Sequence, residues 1–206
     1  MHSCNIYCYS LDNWGIIKLR KTILVFSLAI LFCSITLGQK HLTRYDETFK
    51  KYTKRFFGPG FDWKIFKAQG IAESQLAPDA VSQVGARGIM QLMPSTFQEV
   101  KSKNPDFTAI EDPEWNIGAG IYYDRTMYNG WKEIKDDTEK LRFTFGSYNA
   151  GRGTIMKAQT KAKMDSLDHT AWKSISNVAH KVPKWRYKET LNYVENISKC
   201  HQEIKK

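Results

Sequence analysis

Between residues 43 and 203, apolar side chains recur at steps of three and four, and runs of strict alternation are scarce. A period near 3.6 gives each helix one apolar stripe, whereas a half-buried strand needs a period of two. The chain is therefore held to a mainly α fold. The pattern predicts helices over roughly 43–57, 62–76, 94–103, 113–129, 137–149, 152–164, 170–179 and 187–203. The breaks have physical causes. Gly58, Pro59 and Gly60 interrupt the chain before Asp62, a residue able to cap the next helix, and Pro78 disfavours helical geometry at Ala77. "DDTEKL" places acids near a helix start, and "HKVPKW" breaks the chain before the last helix. No repeat of roughly 20–50 residues interrupts the pattern. With 206 residues, 42% of them hydrophobic, one sizeable core can be buried, so a single globular helical domain is expected.

The first 38 residues are expected to stand apart from that core. Lys18, Arg20 and Lys21 precede the uncharged run "TILVFSLAILFCSITLG", and Thr36 and Gly38 are small residues ahead of a cut at Gln39. This is the pattern of a secretory signal. The alternative is an uncleaved anchor that tethers the chain to a membrane, although the run is at the short end for a span. Phe32 stands where a lipobox carries a small residue, which argues against lipidation of Cys33. The stretch "MHSCNIYCYSLDNWGII" is unusual before a signal, and either a long leading region or a displaced start accounts for it.

Cleavage before Gln39 would remove Cys4, Cys8 and Cys33 and leave Cys200 alone, so no internal disulfide is expected. The exported part would hold 28 Lys and Arg against 20 Asp and Glu, a net charge of +8. A basic exported chain suits an anionic partner such as cell wall or membrane surface. Export and the lack of a concentrated arginine motif argue against nucleic acid. His41, His169, His180 and His201 show no ligand spacing, so no metal and no cofactor is expected. The segment "NAGRG" lacks the strand and the lysine of a phosphate loop, and no histidine is placed by a motif to activate Ser74, Ser82 or Ser147.

The most informative stretch is "GIAESQLAPDAVSQVGARGIMQLMPSTF", residues 70–97. Trp63, Phe66, Gly70 and Glu73 are spaced three, four and three apart, so Glu73 prolongs an apolar stripe. A carboxyl among apolar neighbours is desolvated, its pKa rises, and it becomes able to act as a general acid near neutral pH. The alternative is a helix frayed by Glu73, with the side chain in water. Gly85 and Gly88 permit backbone turns that other residues resist, and they lead into "IMQLMP". That segment reads either as the wall of a groove suited to a sugar or as a core hairpin with methionines as filler.

The segment "AESQLAPDAVSQVGARGIMQLMPST" closely resembles the first motif of the lytic transglycosylases with the soluble lytic transglycosylase (SLT) fold, a branch of the lysozyme-like superfamily. "FGSYNAGRG" resembles the second motif of that family, and "ETLNYVENI" the third. The run "VPKWRYKETLNYVENI" is most similar to the catalytic module of the membrane-bound lytic murein transglycosylase F group. That group usually carries a solute-binding-like domain ahead of the module, where this chain has a short segment.

The resemblance implies a mainly α, lysozyme-like SLT domain with a substrate groove. On this reading residues 1–38 are the signal, 39–60 an N-terminal helical segment and 61–206 the SLT catalytic domain. It also implies a reaction, cleavage of the β-1,4 bond between N-acetylmuramic acid and N-acetylglucosamine in peptidoglycan without water as acceptor. Most glycosidases use two carboxylates. Here the resemblance implies one: Glu73 protonates the glycosidic oxygen, then acts as base on the muramic acid 6-hydroxyl, which closes a 1,6-anhydro ring. An acceptor tethered to the reacting sugar makes the attack intramolecular.

By the same resemblance, substrate contacts fall to Ser82, Gln91, Met93, Tyr148, Asn149 and Tyr193, with Glu189 as a secondary, structural or subsite residue. Capping or packing is the alternative for Asn149 and Tyr148, and a favourable helix-dipole contact for Glu189. Ser147 departs from the alanine usual in the second motif, and Arg87 occupies a variable position where a stem-peptide carboxylate is one candidate partner.

The expected partner is thus the glycan strand of peptidoglycan, bound by a monomer exported to the periplasm or envelope of a bacterium. Two other functions are weighed beside it: a hydrolase like the goose-type lysozymes, and a binding module with a retired active site. The positive charge predicts that binding to purified sacculi, followed by co-sedimentation, weakens as ionic strength rises. Binding indifferent to salt contradicts this.

Overall fold

The computed structural model describes residues 43–205. The expected export signal and Cys4, Cys8 and Cys33 lie outside the described residues. The chain divides into two compact units, Met1–Tyr45 and Asp46–Lys206. The second holds every element below. Its helices are α1 (Asp46–Phe57), α2 (Lys64–Ser74), α3 (Pro94–Lys103), α4 (Pro113–Gly130), α5 (Asp137–Ala150), α6 (Arg152–Met164), α7 (Trp172–Val178), a 3-10 turn Ala179–Lys181, and α8 (Tyr187–Lys205). Among the described residues no strand forms, and the loop before α3 has only two isolated antiparallel bridges, Val81 with Arg87 and Arg87 with Leu92. Nor is any helix among the described residues long and apolar enough to cross a membrane.

Helix starts follow the capping chemistry of the sequence. The Asp112 carboxylate accepts from the amides of Glu114 at 2.8 Å and Trp115 at 3.2 Å, and Pro113 fills the first helical position. Asp136 accepts from Glu139 at 2.8 Å, whereas at α2 the cap position falls to Trp63, which has no side-chain cap bond, and Asp62 one residue earlier accepts from the Lys64 amide at 3.1 Å. The predicted end of α2 at residue 76 is corrected to Ser74. Gln75 and Leu76 adopt left-handed φ values of 56° and 61°, and Leu76 swings back into the core. The chain thus stops its helix two residues before the effect of Pro78 is felt, because burying Leu76 requires the turn.

The pairing of α2 with α8 is the most extensive in the unit, α1 lies on α4, and α5 touches α4, α6, α7 and α8. The sequence sets residues 39–60 apart as a segment of their own. In the structure α1 belongs to the same compact unit as α2–α8, with Phe49 and Tyr52 fully buried. Tyr52, Phe56 and Phe107 meet edge to face or stacked, and Phe57 meets both Phe61 and Phe66. Each buried aromatic ring stabilises the fold by roughly 1.5–3 kcal/mol.

The central helix is α2, where six consecutive residues from Ile65 to Gly70 are buried. The sequence pattern gives this helix one apolar stripe, but the structure covers it on all sides. Two of the six are polar and have partners: the Lys67 ammonium pairs with Asp46, and the Gln69 amide donates to Asp124. A buried polar group without a partner would cost the fold dearly, which explains why these two sit opposite carboxyl groups.

Gly146 of α5 lets the indole of Trp172 approach so closely that a Cβ would lie 2.3 Å from it. Gly146→Ala is therefore expected to lower stability by about 1–3 kcal/mol despite the better helix propensity of alanine. Gly153→Ala, with nothing within 4 Å of its added Cβ, should instead be neutral or stabilising by up to about 1 kcal/mol. Urea denaturation of both variants checks the contrast, and an unchanged midpoint for Gly146→Ala contradicts it.

Candidate active site

Glu73 lies in the last turn of α2, half-buried, with its stripe partners Phe66 and Gly70 buried before it. Desolvation pushes its pKa from the ordinary 4.5 to about 7, against the opposing effect of one hydrogen bond. That bond comes from the Tyr193 hydroxyl on α8, which donates to Glu73 Oε1 at 2.5 Å. Of the two sequence alternatives, the fraying helix is not what forms. The Tyr193 phenol is itself driven well above its usual range by burial and by the Glu73 charge, so it stays a donor at any physiological pH.

The second buried phenol is Tyr148 on α5. Its hydroxyl donates to the Met90 carbonyl at 2.7 Å, and its ring meets the edge of Tyr123 with centroids 5.3 Å apart. Burial also raises the Tyr148 pKa well above the ordinary value, with the Glu73 charge as the next cause. Tyr148 and Tyr193 thus bring α5 and α8 to the same carboxyl.

The loop between α2 and α3 is held by its own backbone and by Asn116. Gly85 and Gly88 take φ values of +86° and +74°. At Gly88 an added Cβ would lie 2.4 Å from the Asn116 amide, so glycine is required twice over, by conformation and by space. Asn116, buried in α4, accepts from the Met90 amide at 2.8 Å and donates at 3.0 Å to the carbonyls of Arg87 and Ile110. Ser74 Oγ donates to the Ile89 carbonyl at 2.9 Å, tying the residue after Glu73 to the same loop.

The remaining residues singled out in the sequence fall into two groups. Ser82 and Gln91 are engaged within the loop: Ser82 Oγ accepts from the Ala86 amide at 3.0 Å, and the Gln91 amide donates to the carbonyls of Gly88 at 2.9 Å and Ala80 at 3.2 Å. Met93 is 40% exposed where the loop enters α3. Asn149 accepts from Thr190 at 2.8 Å, and Thr190 accepts from the Trp185 indole at 2.9 Å, a chain that links α5 to α8. Glu189, by contrast, is exposed and drawn to Arg186 just before its own helix at 2.8 Å. Arg87 pairs with Glu111 at 2.6 Å.

Ser147, the departure from the second motif, has a structural reason. It is fully buried, accepts from the Trp131 indole at 3.1 Å and donates to the Phe143 carbonyl at 2.7 Å, which an alanine could not do. Among the described residues, His, Cys, Asp and Glu nowhere gather in a group able to hold a metal ion.

The sequence profile described as "Transglycosylase SLT domain" matches residues 34–170. The chain belongs to that family. The membrane-bound lytic murein transglycosylase F of Photobacterium profundum is 32% identical over 180 residues, which cover 81% of this chain and 32% of that protein. This chain therefore spans about a third of the length of such relatives. Among solved structures, the 70-kDa soluble lytic transglycosylase SLT70 from Escherichia coli aligns with a TM-score of 0.59 at 24% identity, covering 76% of this chain and 23% of that one. An inactive mutant of the lytic transglycosylase Slt from Pseudomonas aeruginosa aligns at 0.61 and 24% identity, covering 77% and 23%. These likenesses establish the all-helical, lysozyme-like SLT fold.

Because burial holds the pKa of Glu73 above its unfolded value, the folded state keeps a proton between about pH 4.5 and pH 7 that the unfolded state releases. Stability attached to this group is thus lost as pH rises through that window. Glu73→Gln, which cannot ionise, is expected to be more stable than the parent at about pH 8 by up to roughly 3 kcal/mol, with the gap shrinking towards pH 4. Denaturant unfolding at the two pH values measures it, and a gap independent of pH contradicts the assignment.

Proposed function

We propose that the protein is a peptidoglycan lytic transglycosylase that cleaves the bond between N-acetylmuramic acid and N-acetylglucosamine and leaves 1,6-anhydro ends. The observation that carries this reading is a single carboxyl, Glu73, poised near pH 7 by desolvation and gripped by Tyr193. A group with that pKa gives a proton to the glycosidic oxygen and takes one back from the 6-hydroxyl in the same turnover. Membership of the SLT family and the names of the relatives support the substrate class.

A hydrolase with two working carboxylates needs the second one open to the sugar or to water. Besides Glu73, the carboxyl that acts electrostatically on both Tyr148 and Tyr193 is Asp124, which is fully buried in α4 and open to neither sugar nor water. This favours the intramolecular acceptor over a positioned water. Tyr193 orients the Glu73 carboxyl and stabilises its anion once the proton has left. Tyr148, which holds the Met90 carbonyl, fixes the loop that carries Gln91 and Met93 towards the glycan. Ser82 and Gln91 use part of their bonding capacity in the loop, which leaves the Ser82 proton and the Gln91 carbonyl oxygen for the substrate. Asn149 supports the α5–α8 contact, and Glu189 acts at the margin.

The same reading places the protein in the bacterial envelope as a monomer on glycan strands, with residues 1–38 as its export signal. The test is mass spectrometry of muropeptides released from purified sacculi by the wild type and by Glu73→Gln. Products lighter by one water than hydrolysed ones, absent with the variant, are expected. Full-mass products would transfer the protein to the hydrolase reading, and wild-type and variant reactions alike without products would favour a binding module.

A further inference from the structure

Asp124 is a buried carboxyl beside the reacting cluster that the mechanism leaves unused. It sits in α4 with no exposure, opposite Gln69 of α2, which is equally buried. Gln69 and Glu73 are four apart, so they occupy the same face of α2 in successive turns. The Gln69 amide nitrogen donates to Asp124 Oδ1 at 3.3 Å. The other oxygen of each group, Asp124 Oδ2 and Gln69 Oε1, is buried without a hydrogen-bond partner.

Two acceptors left over on facing groups cannot satisfy each other while Asp124 is a carboxylate. A proton on Oδ2 turns it into a donor, and Gln69 Oε1 is the acceptor it lacks, so a single proton repairs both defects. The electrostatics agree. No lysine, arginine or histidine among the described residues bonds Asp124. The groups facing it are Glu73 on α2, Tyr148 on α5, Tyr193 on α8 and Tyr123 on its own helix, all neutral or anionic. Complete desolvation holds the carboxyl well above its ordinary range, with the Glu73 charge adding to it, despite the Gln69 bond.

We propose that Asp124 is a positioning residue for Glu73: a neutral carboxylic acid closed with the Gln69 carboxamide into a ring of two hydrogen bonds that pins α2 to α4 one turn behind the reacting carboxyl. The inference rests on Glu73 being the proton donor of the proposed reaction. It accounts for two needs of that reaction. The helix α4 also carries Asn116, which grips the loop at Arg87 and Met90, so one rigid helix aligns both the carboxyl and the groove wall. A neutral Asp124 also leaves Glu73 free to become an anion in mid-reaction, whereas a second negative charge would hold Glu73 protonated and stall its return as base.

The test uses the full chain with aspartate labelled in its carboxyl carbon. The Asp124 signal, assigned by its loss in Asp124→Asn, should keep the chemical shift of a protonated acid through pH 7, and a titration in the usual carboxylate range overturns the proposal. Activity gives a second readout. Asp124→Leu, which leaves Gln69 unpartnered, should lower kcat by roughly tenfold to a hundredfold with KM little changed. Asp124→Asn should restore most of it with the wild-type pH profile, because an amide pair reproduces both hydrogen bonds without a proton. Full activity of the leucine variant, or an acid-shifted profile in the asparagine variant, contradicts the proposal. If the wild type releases no product at all, the proposed reaction fails while the carboxyl titration still decides the state of Asp124. That titration does not depend on the leucine variant folding.

Discussion

A carboxyl group removed from water resists ionisation, and the relief that Glu73 finds is a single phenol, Tyr193, on another helix. Everything around the site maintains that balance. Were Glu73 more solvated it would be an ordinary carboxylate at neutral pH, unable to protonate a leaving group. Were it denied the phenol, its anion would be too costly to form after the proton had been given away. The α2–α8 contact, the most extensive pairing in the unit, fixes the donor to the acceptor across 120 residues of sequence.

Holding a carboxyl in that condition demands a rigid support, and the burial of α2 on all sides provides it. Two of its buried polar groups bond to neighbouring helices, the Lys67 ammonium to Asp46 and the Gln69 amide nitrogen to Asp124, so the helix has partners in α1 and α4 as well as α8. The loop after α2 is held to the same frame by Asn116 and Ser74. The loop that forms the proposed groove wall and the Glu73 carboxyl are therefore positioned by the same few helices. This is the structural counterpart of the proposed reaction, in which one group acts twice on a sugar that must not shift between the steps.

Much of this is legible in the sequence because apolar periodicity reports the core-facing side of each helix. The helices α3 to α6 follow the predicted spans closely, and Glu73 stands out because it interrupts an apolar stripe with a charge. What periodicity cannot show is which polar residues are buried together. Lys67 and Gln69 look like an exposed face, since their partners Asp46 and Asp124 lie 21 and 55 residues away. Asn116 carries no local signal either, because its task is to bond a loop that passes it only in three dimensions. The early stop of α2 escapes the pattern because the burial of Leu76 overrides a rule about the residue before proline. Glu189, read from its motif, proves to be occupied with Arg186 at the exposed start of α8.

The central claim is that a desolvated carboxyl at Glu73 is balanced by the Tyr193 hydroxyl. It is tested most directly by following the Glu73 carboxyl carbon through a pH titration in the wild type and in Tyr193→Phe. A midpoint of about 7 in the wild type, moving upward when the phenol is removed, is the predicted result. A midpoint in the ordinary carboxylate range, or one that ignores the loss of the hydroxyl, would contradict the account.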